Sequence, residues 1–429
     1  MLYALTYIIG RGLLIPISLM DFMDTSGFYK LTPKERLGKI KEFCGLSEEE
    51  CGVLSKSKIG LDLADKMIEN VVGTLELPFG IATNFVINGK EYLIPMVIEE
   101  SSVVAGASKA AKLSEGFVSE ASESIMIGQI LLIGVDFEKA KEKVEESKKE
   151  IIRKCNERKS SIIELGGGVK ELEVKKLKTD KGQMVVLHFY IDVKDSMGAN
   201  FVNTTLESIA PYLEDLIGGE IRMNILSNLS DRRMVKVKAV WKGEKIGKEN
   251  VNNMLDAYEF AKHDPYRAAT NNKGAMNGID AVCIATGNDF RALEAGAHAY
   301  ASKEASYTSM TRWEKKGEDL LGYLEMPLAV GIVGGYTNTN PITKIALKIL
   351  GVKSAKELAE IIGAVGLANN FAAMYALVTE GIQKGHMRLH AKNVALNAGA
   401  KGEKIDKIAE QMIKEGKISE LRAKEILHG

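Results

Sequence analysis

Charge of neither sign is in excess in this 429-residue chain: 57 lysines and arginines stand against 57 aspartates and glutamates. The basic surplus that binds nucleic acid is missing, and so is an acidic tail of the kind that stays disordered. Cysteine is scarce: Cys44, Cys51, Cys155 and Cys283 are the only four. None pairs as C-x-x-C, and no histidine sits at metal-ligand spacing from them. A metal site and a disulfide framework are both disfavoured, and reduced, mostly buried thiols in a cytoplasmic protein are expected. The opening MLYALTYIIGRGLLIPISLMDF is apolar enough to suggest a signal or a membrane segment, but it lacks an unbroken run: Gly10, Arg11, Gly12 and Pro16 interrupt it before the roughly 18 residues of a membrane span, and no basic region precedes it. No membrane association is expected, and Met20 or Met23 serves equally well as the start of the folded protein. No G-x-G-x-x-G turn follows a first strand, so a Rossmann domain is not supported.

What is present is the composition of a globular protein, 45% hydrophobic and 27% charged, long enough for two to four domains at about 100–200 residues each. Thr32, Pro33 and Glu35 open an amphipathic helix over 32–44 as N-cap, first helical residue and first-turn acid. SEEECGVLSK reads as a second helix and residues 61–72 as a third. ELPFGIATNFVINGKEYLIPMVIEE reads as two strands joined at Asn88-Gly89, a hairpin dipeptide. From about 125 to 194 the texture changes. A strand, SIMIGQILLIGV, precedes one long charged helix, DFEKAKEKVEESKKEIIRKCNERKSSIIEL. After Gly166-Gly167-Gly168 come two alternating stretches, KELEVKKL and MVVLHFYIDV, and then the helix NTTLESIAPYLEDLIG. Strand, helix, hairpin, helix predicts a small α+β unit of ferredoxin-like type, inserted into a discontinuous larger domain. Later, Gly351 closes one helix, Ser354 and Glu357 form a capping box opening a long apolar one, and two charged helices broken at Gly416 end the chain. The pattern Gly-x-Leu-Glu-[Leu/Met]-Pro occurs at 73–78 and 322–327 and reads as two similar strand entries.

Four stretches combine small residues with isolated polar groups. VIEESSVVAGAS sets Glu99 and Glu100 between an apolar strand and a small-residue segment. A carboxylate held out of water there suits a proton donor; the alternative is a strand end in solvent. RAATNNKGAMNGIDAVCIATGND sets Lys273 in a loop, Ala281–Ala285 in a buried strand, and Asp289 in the turn after it. A fixed ammonium can stabilise a developing oxyanion, by about 2.7–4 kcal/mol per donor where measured, with Asp289 holding it; the alternative is a surface loop. DSMGANFVNTTLESI lets a ligand approach the backbone at Gly198 and Ala199, before a helix whose free N–H groups and dipole suit phosphate; an ordinary strand-to-helix turn is the alternative. TEGIQKGHMRLHAKN carries His386 and His390 four apart, on one helical face. Core or surface histidines, a proton donor on a closing segment, and a metal pair all fit, though the spacer of metalloproteases is missing.

In order along the chain, ENVVGTLELPFGIATNF, VIEESSVVAGAS, DSMGANFVNT, DPYRAATNNKGAMNGIDAVCIATGND, GIVGGYTNTNP and GIQKGHMRLH resemble the motifs of the 3-hydroxy-3-methylglutaryl-CoA (HMG-CoA) reductase family, and their spacing is similar to its class II form. The resemblance runs from about residue 28 to the end. It implies reduction of HMG-CoA by two reduced nicotinamides to mevalonate and coenzyme A, through mevaldyl-CoA and mevaldehyde. Carried over by motif, Lys273 would polarise the thioester carbonyl and hold the oxyanion. Asp289 would link Lys273 and Glu100, Glu100 would protonate at the aldehyde step, and His386 would protonate the departing thiolate. Ser102 and Arg267 would bind the HMG carboxylate side, with Asn277 and Asn370 near the substrate. Glu69 and Asn70 would reach a neighbouring subunit's site, which implies a homodimer or a trimer of dimers. Asp195, Met197, Gly198, Ala199 and Asn200 would line the cofactor. The implied fold is α+β, a large discontinuous α/β domain with an inserted ferredoxin-like cofactor domain and a C-terminal helical flap. The expected divisions are an N-terminal extension over 1–27, the large domain over 28–121 and 230–379, the inserted domain over 122–229, and the flap over 380–429.

One departure bears on the cofactor. NADH-using members of the family carry an aspartate shortly before the Gly-Gly-Gly stretch, and here that position falls at Lys159 or Ser160. A lysine and serines attract a 2′-phosphate that a carboxylate would repel, so NADPH is expected over NADH. Two rivals compete with a reductase: a CoA-thioester hydrolase without redox chemistry, and a catalytically silent binding protein.

Overall fold

The computed structural model describes residues 23–56, 60–304, 306–379 and 382–428, with residues 338 and 382–389 described by their backbone alone. The apolar opening stretch therefore lies outside the described residues. The chain divides into two units at Gly45. The first contains α1 (Pro33–Cys44), which opens as its sequence dictates. The Thr32 side chain accepts from Glu35 N at 3.3 Å, the Glu35 carboxylate accepts from Thr32 N at 2.7 Å, and Gly45 closes the helix in the left-handed region.

The second unit begins with α2 (Glu48–Lys56) and α3 (Leu61–Ala64). The helix expected over 61–72 ends after four residues. Its apolar side chains at Ile68 and Val72 remain exposed, and a short helix with nothing to pack against is marginal in water. β1 (Phe79–Ile87) and β2 (Lys90–Val97) form the hairpin expected at Asn88-Gly89, both turn residues having positive φ. α4 (Val103–Leu113) then leads into β3 (Ser114–Ala121), which lies parallel to β1.

From Ser122 the chain leaves this sheet and builds another. Its elements are β4 (Ile125–Ile133), α5 (Phe137–Asn156), α6 (Ser161–Glu164), β5 (Gly168–Thr179), β6 (Gly182–Asp192), α7 (Ala199–Ile217) and β7 (Glu220–Ser227). The strand order β5-β6-β4-β7, antiparallel throughout, is that of a ferredoxin-like βαββαβ unit. The single helix expected over 136–165 is broken after Asn156, whose side chain bonds both the C=O and the N–H of Val169, at 2.9 and 2.8 Å. That tertiary pair competes successfully with helix continuation. β8 (Met234–Trp241) rejoins the first sheet antiparallel to β3, with Val235 opposite Ala121. Ser122 N meets Met234 O at 2.9 Å, so the excursion leaves and returns at one place.

α8 (Gly243–Ile246), α9 (Lys248–His263), α10 (Pro265–Ala285), α11 (Phe290–Ala301), β9 (Thr311–Lys316) and β10 (Asp319–Pro327) follow. They complete a six-stranded mixed sheet of order β2-β1-β3-β8-β10-β9. Residues 322–327 lie within β10, whereas 73–78 precede β1 without regular structure, so the two hexapeptides are not equivalent strand entries. After α12 (Gly335–Thr339) and α13 (Pro341–Leu350) comes α14 (Ala355–Val378), which packs on α10, α4 and β8. Its length and apolarity match those of a membrane span, but 67% of its most apolar window is buried inside the protein. At its centre Phe371 stacks on Trp241, ring centroids 4.3 Å apart, and the Trp241 indole N–H is satisfied by Ala110 O at 3.0 Å. α15 (Ile382–Asn397), α16 (Glu403–Glu415) and α17 (Glu420–His428) share a separate small core built on Ala391, Ala395, Ile408, Met412 and Ala423.

Candidate active site

Lys273 does not lie in a loop, and Ala281–Ala285 is not a strand. Both belong to α10, a 21-residue helix that Asp264 caps by accepting from Arg267 N, with Pro265 at its first position. Asparagines and glycines argue against a helix because Asn side chains compete for backbone bonds. Here the competition is removed by tertiary partners. Asn272 donates to Tyr307 Oη and Thr308 O and accepts from Met310 N, each at 2.9 Å. Asn271 donates to Ser309 Oγ at 2.9 Å.

From this helix Lys273 reaches out to solvent, 59% exposed, and its Nζ meets Glu100 Oε2 at 2.7 Å. Glu100 sits in the turn between β2 and α4. Ser102, two residues on, precedes α4 with φ of 74° and makes no side-chain cap bond. A non-glycine residue in that region carries about 1–3 kcal/mol of strain, which points to a functional constraint. Asn277 lies one helical turn beyond Lys273 on the same face. Arg267, six residues before Lys273 on the same helix, is half-buried; desolvation pulls its guanidinium below the usual arginine range. Among the described residues it forms no ion pair, as an arginine reserved for an external anion would not.

The remaining predicted residues divide. Asp289 caps α11: its Oδ1 accepts from Arg291 N and Ala292 N at 3.1 and 3.3 Å and pairs with Arg291 Nη2 at 3.0 Å. Among the described residues no hydrogen bond or ion pair joins Asp289 to Lys273 or Glu100; the partners it has all meet its Oδ1. Asn370 is fully buried: its Oδ1 accepts from Thr311 Oγ1 and Trp313 Nε1 at 2.9 and 3.2 Å, and its Nδ2 donates to Asn271 O at 2.8 Å. It braces α10 from behind and presents nothing to a ligand. Glu69 and Asn70 are exposed in the irregular segment after α3, Asn70 with φ of 57°. His386 falls in α15 at a position whose side chain lies outside the described residues.

The cofactor candidates cluster in the turn between β6 and α7. Gly198 precedes α7 with φ of 99°, and a Cβ there would press on the Val193 side chain at 2.6 Å. No side chain caps α7, so its first N–H groups and positive dipole end, next to Ala199 and Asn200, suit the phosphates of a dinucleotide. Asp195 accepts from Ala355 N at 2.8 Å, helping Ser354 to cap α14. Met197 O accepts from Arg233. Ser160 caps α6 by accepting from Ile162 N at 3.3 Å, and Lys159 beside it is exposed.

A polar chain running from Asp280 on α10 to α11 was not foreseen from the residues alone. Asp280 lies buried near Glu294, Glu294 Oε2 meets His298 Nε2 at 2.5 Å, and His298 Nδ1 meets Tyr307 Oη at 2.7 Å. Burial, reinforced by Glu294, pushes the Asp280 carboxyl up to about 8. The only available signal was the i, i+4 spacing of Glu294 and His298, which is common on solvated helices.

Residues 32–391 match the family model for hydroxymethylglutaryl-coenzyme A reductase. The chain is 52% identical over 408 residues to the 3-hydroxy-3-methylglutaryl-coenzyme A reductase of Archaeoglobus fulgidus, covering 94% of this chain and 93% of that protein. A solved structure of the Streptococcus pneumoniae reductase superposes with a TM-score of 0.81 at 39% identity, covering 94% of this chain and 99% of that one. Another from the same organism, a class II reductase bound to NADPH in open conformations, gives 0.79 at 40% identity, covering 92% and 99%. The chain belongs to the hydroxymethylglutaryl-coenzyme A reductase family.

Proposed function

We propose that this protein reduces HMG-CoA to mevalonate and coenzyme A in two hydride steps, consuming two NAD(P)H and two protons and releasing two NAD(P)⁺. What supports this for the site itself is the 2.7 Å contact of Lys273 with Glu100, residues 173 apart in sequence, at a solvent-open position. The nicotinamide supplies hydride when bound, and the Asp195–Asn200 turn with the uncapped start of α7 fits such a ligand. The chain's own groups handle charge and protons. Lys273 Nζ holds the thioester carbonyl oxygen and the negative charge that forms on it. Glu100, a carboxylate while it pairs with that ammonium, takes up one of the two consumed protons from solvent and passes it to the aldehyde oxygen. His386, on α15, protonates the CoA sulfur as it leaves. Arg267 and Ser102 anchor the HMG carboxylate, with Asn277 beside them. Asp289 joins Lys273 and Glu100 after exchanging its contact with Arg291 for one with the lysine. Thioester hydrolysis would leave the Asp195–Asn200 turn without a task.

Three finer assignments belong to the same proposal. NADPH is preferred over NADH, because Lys159 is exposed and Ser160 adjoins it where a carboxylate would exclude the 2′-phosphate. The working unit is a homodimer or a trimer of dimers: Val72 and Leu75, 99% and 88% exposed beside Glu69 and Asn70, need a covering surface that a second copy supplies. The enzyme is cytoplasmic. The test is absorbance of the reduced nicotinamide with purified protein and HMG-CoA. Oxidation that depends on HMG-CoA is expected, and CoA release without oxidation would overturn the proposal.

A further inference from the structure

The cofactor turn and the Asp289 turn lie far apart in sequence, yet one short segment touches both. Residues 328–333, between β10 and α12, run beside the cofactor turn: Ile332 N donates to Asp195 O at 2.9 Å, and Ser196 forms a parallel bridge with Val333. Arg233, only 5% exposed, forks across the two. Its Nη1 donates to Ser196 O and Met197 O at 3.1 and 3.2 Å, and its Nη2 donates to Val330 O. Burial lowers its pKa to about 10, with Asp192 and Asp195 opposing, so the guanidinium is charged at neutral pH. A buried arginine that meets backbone carbonyls is tolerated only where its donors are matched, and its planar fork fixes the relative placement of what it binds. From the other side Asn288, adjacent to Asp289, closes on Gly331: Gly331 N donates to Asn288 Oδ1 at 2.8 Å, and Asn288 Nδ2 donates to Gly331 O at 3.1 Å. Gly331 is required there, because a Cβ would meet Met197 N at 2.4 Å.

We propose that Arg233 and Asn288 are positioning residues that, acting through Val330 and Gly331, set the Asp195–Gly198 turn and the nicotinamide on it at a fixed distance from the Asp289 turn and the carbonyl held by Lys273. This rests on the reductase chemistry proposed above. Neither side chain needs to touch a ligand; both act through backbone groups. Hydride transfer makes such bracing matter, since reacting atoms must stand about 3–3.5 Å apart and a misplacement of about 1 Å can cost about a hundredfold in rate.

The test uses Asn288→Ala, Arg233→Lys and Gly331→Ala in the full-length chain. It measures NADPH affinity by equilibrium titration of nicotinamide fluorescence, HMG-CoA affinity separately, kcat, and melting temperature. Loss of the paired bonds in Asn288→Ala should weaken NADPH binding about tenfold and lower kcat, with HMG-CoA affinity unchanged. Gly331→Ala should do the same by displacing Met197, and Arg233→Lys should do so more weakly. Folded variants with NADPH affinity and kcat unchanged, or with both ligands weakened equally, would overturn the proposal. So would failure of all three to fold, which would make the brace a folding element only. A wild-type chain that does not oxidise NADPH with HMG-CoA refutes the reductase assignment instead, whatever the variants do.

Discussion

Lys273 and Glu100 meet at 2.7 Å although 173 residues separate them in the chain. Both side chains are open to water, at 59% and 36% exposure, and an ion pair so placed contributes about 0–1 kcal/mol to stability. Its arrangement is therefore explained by chemistry better than by folding. Lys273→Ala should lower kcat by about 10²–10³ while leaving the melting temperature within a degree or two of wild type. A large fall in melting temperature with modest loss of activity would make the lysine structural.

Asp280 offers a test by pH. Its folded pKa, about 8, lies above the ordinary carboxylate value, so the folded state binds the proton more tightly. The stabilisation is full below about pH 4, the unfolded pKa, and is lost as pH rises toward 8. Asp280→Asn, which keeps a donor for Glu294, should therefore stabilise the protein at pH 8 by on the order of 1–2 kcal/mol and have little effect at pH 4. Thermal melts across this range, with variant and wild type parallel throughout, would contradict it.

Asn370 satisfies Thr311, Trp313 and the Asn271 carbonyl at once. Asn370→Ala leaves buried polar groups without partners and should destabilise by about 2–4 kcal/mol. Chemical denaturation measures this. A change below 0.5 kcal/mol, on the scale of ordinary surface substitutions at about ±0.5, would show that water replaces the side chain.

Val72 and Leu75 lie bare beside Glu69 and Asn70. If the proposed second copy covers them and completes the site, replacing both apolar residues by aspartate should shift the protein to monomer in sedimentation and abolish turnover. An unchanged oligomer with full activity would place the subunit contact elsewhere.

Lys159 is the group expected to favour the 2′-phosphate. The ratio of kcat/KM for NADPH to that for NADH should exceed one, and Lys159→Glu should reduce it about fivefold, the worth of one exposed charge contact. A wild-type preference for NADH would defeat the assignment.

Legibility in the sequence followed the range of the forces involved. The α1 cap and the Asn88-Gly89 hairpin were readable because a few adjacent residues determine them. The ferredoxin-like sheet was readable because strand alternation and turn residues agree. α10 was misread because its asparagines are satisfied by Tyr307, Thr308, Ser309 and Met310, partners no local pattern reveals. The 61–72 helix was overread because its apolar face finds no surface in one chain. In the site, Glu100 and Lys273 were found through motifs, whereas Arg233, Asn288 and the Asp280–Glu294 pair act through contacts that exist only after folding.

The most direct measurement is stoichiometry: NADPH oxidised per molecule of CoA released, with purified protein and HMG-CoA. Two NADPH for each CoA, with mevalonate as product and both signals lost in Lys273→Ala, is the expected result. Free CoA appearing without NADPH oxidation, or turnover that survives removal of the Lys273 amine, would contradict the assignment of carbonyl reduction to this site.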